Sequence, residues 1–184
     1  MKRVLIPFTQ GVEEIECVAV VDILRRAGVE VIMASLDGNA VTGRSNITIM
    51  PDAKFAHVSH EEWDMIVLPG GLPNAYLLRD SSDVKATVLR LKKQGKIIAG
   101  ICAASTALAA FGVADNKHIT SYPAMKEEVQ KLAPTAIYLD DAVVEDDSLI
   151  TSRGAGTAIE FALRLIEKLY NKEKSAEIRT SIIA

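Results

Sequence analysis

Hydrophobic positions along the chain fall into short β-branched runs separated by longer stretches with helical periodicity. Six runs read as strands: Arg3–Phe8, Glu30–Ser35, Met65–Leu68, Lys96–Ile101, His118–Ser121 and Ser148–Ser152. Nearly continuous apolar character over four to six residues is expected of strands buried on both faces of a parallel sheet. Between them, Glu14–Ala27, Val84–Gln94, Ala103–Phe111, Ala124–Lys131 and Thr157–Asn171 repeat apolar residues with helical spacing, and a short helix is predicted near Asn74, after Pro73. Asn39 to Met50 breaks the alternation, and Thr42-Gly43 followed by Ile47 and Ile49 predicts a small β-hairpin excursion. The pattern implies one α/β domain over residues 1–184, with a doubly wound, mostly parallel sheet and helices on both faces.

The first helix is unusual. Ile15, Cys17, Val18, Ala19, Val20, Val21, Ile23 and Leu24 leave it little polar face. A helix that is apolar nearly all round is buried nearly all round. Either a neighbouring helix or a second subunit must cover what the sheet does not.

Composition narrows the classes. The 184 residues are 49% hydrophobic and 24% charged, with a net charge of -3 and a pI near 5.7, so a basic nucleic-acid footprint is absent. Ile97 to Ala114 carries no charge over a length that could span a bilayer, but it is rich in Ala, Gly, Ser and Thr and divides into a strand and a helix. The N-terminal apolar stretch Val4–Phe8 is too short for a signal peptide. Two cysteines, Cys17 and Cys102, suit reduced thiols in the cytoplasm better than a disulfide framework.

Sites in open α/β sheets form at the carboxyl ends of strands. There the sequence places Glu13, Glu14 and Glu16, then Pro69-Gly70-Gly71, then Cys102, and finally Arg153-Gly154-Ala155-Gly156-Thr157. Ala99-Gly100-Ile101-Cys102-Ala103-Ala104-Ser105 has the small residues, Gly100 and Ala104, that a nucleophile elbow requires two positions either side of its nucleophile. A sulfur placed at a helix N-terminus is expected to have a lowered pKa. The amides of Gly71 and Ala103 are candidate oxyanion donors, and Glu16 is a candidate acid–base. The Gly154-Ala155-Gly156 turn is a weak candidate phosphate cradle. His57 and His60, with Glu61-Glu62, superficially resemble metal ligands but lack a second cluster, and no metal or cofactor is expected. No histidine stands where it would pair with Cys102.

Gly11 to Glu16, Val67 to Gly71, Ala99 to Ser105 and Thr151 to Thr157 together resemble the ThiJ/PfpI superfamily, and more narrowly the clade of the Parkinson-associated protein deglycase and its bacterial relatives. The resemblance runs through the whole chain in order. It implies a flavodoxin-like fold and a homodimer, Cys102 as the reactive cysteine, Glu16 as the carboxyl that contacts it, and the Gly71 and Ala103 amides near the sulfur. Gly70, Tyr122, Ser152 and Gly154 are the neighbouring positions. Tyr122 replaces a histidine that the human member carries near its cysteine, and Ala103 replaces the histidine of the peptidase branch. The His and Glu of glutamine amidotransferases have no counterpart.

The expected function is a cofactor-independent glyoxalase or protein deglycase acting on methylglyoxal-type 2-oxoaldehydes and early glycation adducts. The alternative is an oxidative-stress sensor or redox-regulated chaperone using the same cysteine. A thiamine-biosynthesis role has little support. No dedicated nucleic-acid or membrane partner is expected.

Overall fold

The computed structural model describes all 184 residues. In chain order the elements are β1 (Arg3–Phe8), α1 (Glu14–Arg26), β2 (Glu30–Ser35), β3 (Val41–Thr42), β4 (Thr48–Ile49), β5 (Ala53–Lys54), α2 (Phe55–Val58), β6 (Met65–Leu68), α3 (Asn74–Asp80) and α4 (Ser82–Lys93). There follow β7 (Ile97–Ile101), α5 (Ser105–Ala110), β8 (His118–Ile119), α6 (Lys126–Leu132), β9 (Ile137–Tyr138), β10 (Val143–Asp146), β11 (Leu149–Ser152), α7 (Ala158–Leu169) and α8 (Lys172–Ser181). A seven-stranded sheet runs β10-β11-β7-β6-β1-β2-β5, parallel except for the edge strand β10. This is the flavodoxin-like arrangement, with its topological switch between β1 and β6.

Strand periodicity sorts the core. Val4, Ile6 and Phe8 of β1 face α1 and α7 together with Met65, Val67, Ala99 and Ile101. The alternate residues Leu5, Ile66, Leu68 and Ile98 face α3, α4 and α5 with Leu78, Val88, Leu91 and Leu108. Both faces are covered, which is why the strands read as unbroken apolar runs.

Several elements depart from expectation, among them the unforeseen β5, α2 and β9. His118–Ser121 does not join the main sheet; only His118 and Ile119 are extended, and they pair with β9 in a separate two-stranded sheet. Side chains claim the backbone beyond them: Thr120 N–H donates to Thr151 Oγ1 at 2.9 Å, and Ser105 Oγ donates to the Thr120 carbonyl at 2.7 Å. The edge strand β10 was not legible, because Val143–Asp146 has only one fully buried residue. The last helix ends at Leu169 rather than Asn171, and Asn171 caps a further helix, α8, by accepting the Lys174 N–H at 2.8 Å.

The hairpin excursion forms as β3 and β4, antiparallel. Helix α7 packs on α1 and covers most of its apolar surface, although Ile15 and Val18 stay 55% and 46% exposed. The charge-free segment divides into β7 and α5, and no helix is long and apolar enough to cross a membrane.

Candidate active site

β6 lies between β1 and β7, so the chain segments that leave these three strands share one rim. After β7 the chain reverses within one residue. Cys102 has φ of 62°, in the left-handed region that a non-glycine side chain rarely adopts, and Cys102–Ala104 form a tight 3-10 turn before α5. Such strain persists only where the surroundings enforce it, and it marks a nucleophile elbow. Gly100 permits the turn, because a Cβ there would stand 2.8 Å from the Leu108 side chain.

Glu16 reaches the same point from the first turn of α1. Its Oε2 accepts the Gly70 N–H at 2.9 Å, its own N–H donates to the N-capping Glu13 carboxylate at 2.8 Å, and its residue is 1% exposed. Oε1 is buried without a hydrogen-bond partner. Gly70 lies against both groups: a Cβ there would sit 2.5 Å from Glu16 Oε2 and 2.7 Å from Cys102 Cβ, so only glycine fits between them. The Pro69-Gly70-Gly71 turn is held by Asn74, which is fully buried. Its side-chain amide donates to the Pro69 and Gly70 carbonyls at 2.8 and 2.9 Å, and its oxygen accepts the Thr9 N–H at 2.7 Å. One side chain thereby ties the end of β1 to the turn after β6. Nothing in the sequence pattern marked Asn74 beyond its place at the start of a short helix.

Burial is the main reason that the Glu16 carboxyl rises from its ordinary value near 4.5 to about 7; the adjacent Cys102 thiol and the Gly70 amide hold it from going higher. The Cys102 thiol is pushed up to about 12, chiefly by burial and then by the adjacent Glu16, while the Ala103 and Gly71 amides act in the opposite direction. This corrects the expectation of a thiol lowered by a helix dipole. The following helix has only six residues and begins after a 3-10 turn, so its field is small beside desolvation and a neighbouring carboxylate. The two groups form a coupled pair: removing one proton is accessible near neutrality, and removing both is costly.

A cavity of about 260 Å³ opens onto Cys102 and is lined also by Arg44, Gly71, Leu72, Ala103, Tyr122 and Met125. Gly71, Ala103 and Tyr122 thus share the cavity with Cys102, and Gly70 lies against the Cys102 Cβ. Gly154 lies behind Glu16, where a Cβ would be 3.8 Å from Oε1 and 3.5 Å from the Tyr122 ring. Ser152 does not reach the cavity. Its hydroxyl donates to the Ala142 carbonyl at 2.7 Å and lies 2.7 Å from the Thr157 hydroxyl, fixing the turn instead. At the Gly154-Ala155-Gly156 turn, the Gly154 N–H is taken by Thr157 Oγ1 at 3.1 Å. Arg44, Leu72 and Met125 were missed. Arg44 sits in the hairpin loop, Leu72 in the turn after β6, and Met125 in the 3-10 turn Pro123–Met125.

Residues 2–168 match the DJ-1/PfpI family. The chain belongs to that family. It is 43% identical over 184 residues to the protein dj-1beta of Drosophila melanogaster, covering 99% of this chain and 97% of that one. The crystal structure of Drosophila melanogaster DJ-1beta superposes with a TM-score of 0.94 at 42% identity, covering 100% of this chain and 98% of the other. The glutathione-independent glyoxalase DJR-1.2 of Caenorhabditis elegans is 34% identical over 172 residues, 94% of this chain and 90% of its own. The three histidines of this DJ-1/PfpI chain all lie away from the cavity; His118, for example, has its ring Nδ1 2.8 Å from Asp146 Oδ2.

Proposed function

We propose that the protein is a cofactor-independent glyoxalase that converts methylglyoxal-type 2-oxoaldehydes to 2-hydroxy acids. The observation that carries this reading is the apposition of Cys102 and Glu16 across Gly70, with Cys102 lining a small cavity and the Gly71 and Ala103 amides beside its sulfur. The glyoxalase named among the relatives supports it.

The chemistry follows from the shared proton. With one proton between them, the pair can place its negative charge on sulfur while Glu16 is protonated. The thiolate adds to the aldehyde carbon, forming a C–S bond, and Glu16 delivers its proton to the resulting alkoxide. The carboxylate then removes the hydrogen on that carbon as a proton and returns it to the adjacent carbon through an enediol. The aldehyde carbon is oxidised to a thioester and the ketone carbon reduced to a hydroxyl, so no external redox partner enters. Water cleaves the thioester, releasing the 2-hydroxy acid and the thiol. Tyr122 stands at the wall where an imidazole would serve, so Glu16 carries every proton transfer. Applied to the hemithioacetal or hemiaminal of a freshly glycated side chain, the same steps amount to deglycation.

The test is lactate formation from methylglyoxal by purified protein without glutathione. Wild type is expected to produce it and Cys102→Ser to lose it to background; no lactate from wild type would overturn the reading.

Two free cysteines suit a reducing cytoplasm, where we place the activity. A second reading, oxidation sensing at Cys102, is favoured by the contrast between this partly exposed thiol and the fully buried Cys17. We also propose a homodimer through the outer face of α1, where Ile15 and Val18 remain exposed after α7 has packed. Light scattering at micromolar concentration should give twice 19.9 kDa, and Val18→Glu should shift it towards the monomer. A wild-type mass of a single chain contradicts the dimer.

A further inference from the structure

Arg44 is the one charged residue lining the Cys102 cavity. Its guanidinium makes no hydrogen bond or ion pair within the chain, unlike Arg3, Arg25, Arg26, Arg79 and Arg164, each of which holds a carboxylate. Arg153, in the adjoining groove, is already committed to the Asp140 carbonyl at 2.9 Å.

The backbone that carries Arg44 is anchored with care. The Arg44 N–H donates to the Val12 carbonyl at 2.9 Å, and the Gly11 N–H donates to the Thr42 carbonyl at 2.9 Å. The buried Glu14 carboxylate accepts the Ser45 N–H at 2.8 Å and the Ile47 N–H at 3.3 Å through Oε1. Gly43 leaves room for that carboxylate, because a Cβ there would collide with it. A loop on the surface is thus pinned from inside by a buried acid, Glu14, the first residue of α1, two positions before the Glu16 that lies against Gly70 beside Cys102. A cation left unpaired on such a fixed loop, facing a reactive thiol, is placed to receive an anion.

We propose that Arg44 is a specificity-determining residue that selects carbonyl compounds bearing a carboxylate, holding that carboxylate while Cys102 attacks the aldehyde. Guanidinium suits the role because its fork matches a carboxylate bidentately. As a statement about turnover, the assignment rests on the glyoxalase reading; as a statement about the cavity it does not.

Two measurements separate these. Alkylation of Cys102 by iodoacetate and by iodoacetamide compares an anion with a neutral reagent of nearly the same shape, independent of any enzymatic activity. The iodoacetate-to-iodoacetamide rate ratio is expected to fall about fivefold in Arg44→Met, a size set by a partly solvated charge pair. Arg44→Lys should retain most of the ratio, and high salt should bring wild type down to the Met variant. An identical ratio in wild type and Arg44→Met overturns the proposal.

The second measurement compares kcat/KM for 4,5-dioxopentanoate, a 2-oxoaldehyde with a distal carboxylate, and for neutral 2-oxopentanal. Wild type should prefer the anion and Arg44→Met should lose the preference. If both substrates turn over with a ratio that ignores Arg44, specificity does not come from this residue and the proposal falls. If the alkylation ratio responds while neither compound is turned over, Arg44 stands as an anion site and the glyoxalase reading falls.

Discussion

Glu16→Gln should stabilise the protein at pH 8 while reducing its turnover by about a hundredfold, the lower end of what a lost acid–base group costs. The two effects have one origin. Burial lifts the Glu16 carboxyl from near 4.5 to about 7, so the folded protein holds a proton that the unfolded chain releases. Below pH 4.5 both states are protonated and there is no penalty. As pH rises through 7, the folded state must ionise a buried carboxyl, and stability is lost progressively across that window. At 1.36 kcal/mol per pKa unit, the loss is on the order of 3 kcal/mol by pH 8. Glutamine keeps an oxygen for the Gly70 N–H but carries no charge, so its stability should be flat over this range. Urea denaturation at pH 4.5 and pH 8 checks this. The two proteins should be nearly equal at the lower pH and well separated at the higher one; parallel curves at both would mean that Glu16 is not held neutral by its surroundings.

Graded peroxide should oxidise Cys102 long before Cys17. Both thiols are pushed up to about 12, so ionisation alone does not distinguish them. Access and the local proton do. Cys17 is fully buried inside α1, and Glu13 and Glu16 disfavour its thiolate further. Cys102 opens onto the cavity, has the Gly71 and Ala103 amides beside it, and can pass its proton to Glu16. The same donors suit the oxygens of a sulfenic or sulfinic acid, the first two stages of thiol oxidation. Peptide mapping after peroxide titration should find those products at Cys102 with Cys17 unmodified. Oxidation appearing first or equally at Cys17 would show that the cavity confers no selectivity.

Much of this was legible in the sequence because parallel strands buried on both faces announce themselves. β1, β2 and β6 occur at their expected bounds, Arg3–Phe8, Glu30–Ser35 and Met65–Leu68. Cys102 was legible for a local reason: Gly100 and Ala104 are demanded by the sharpness of the turn. Glu16 could be read as relevant only through the rim it shares with Cys102. What stayed hidden depends on contacts distant in sequence. Asn74 organises the site through Thr9, a residue 65 positions away, and Arg44 enters it from a hairpin whose placement is set by a buried Glu14. The thiol's direction of shift was misread because the dipole of a following helix was weighed without the burial that accompanies it. Desolvation of a charged group outweighs the field of one helical turn.

The most direct measurement is the pH dependence of iodoacetamide alkylation at Cys102, in wild type and in Glu16→Gln. If the pair shares a single proton and can place its charge on sulfur, wild-type reactivity rises with a midpoint near 7, where Glu16 ionises. In Glu16→Gln that step should vanish and reactivity should appear only in the alkaline range, because burial still opposes the thiolate and no carboxylate can take its proton. Superimposable profiles, or a wild-type thiol inert until the pH approaches 12, would contradict the account: the charge would then reside wholly on Glu16, and Cys102 would be no nucleophile.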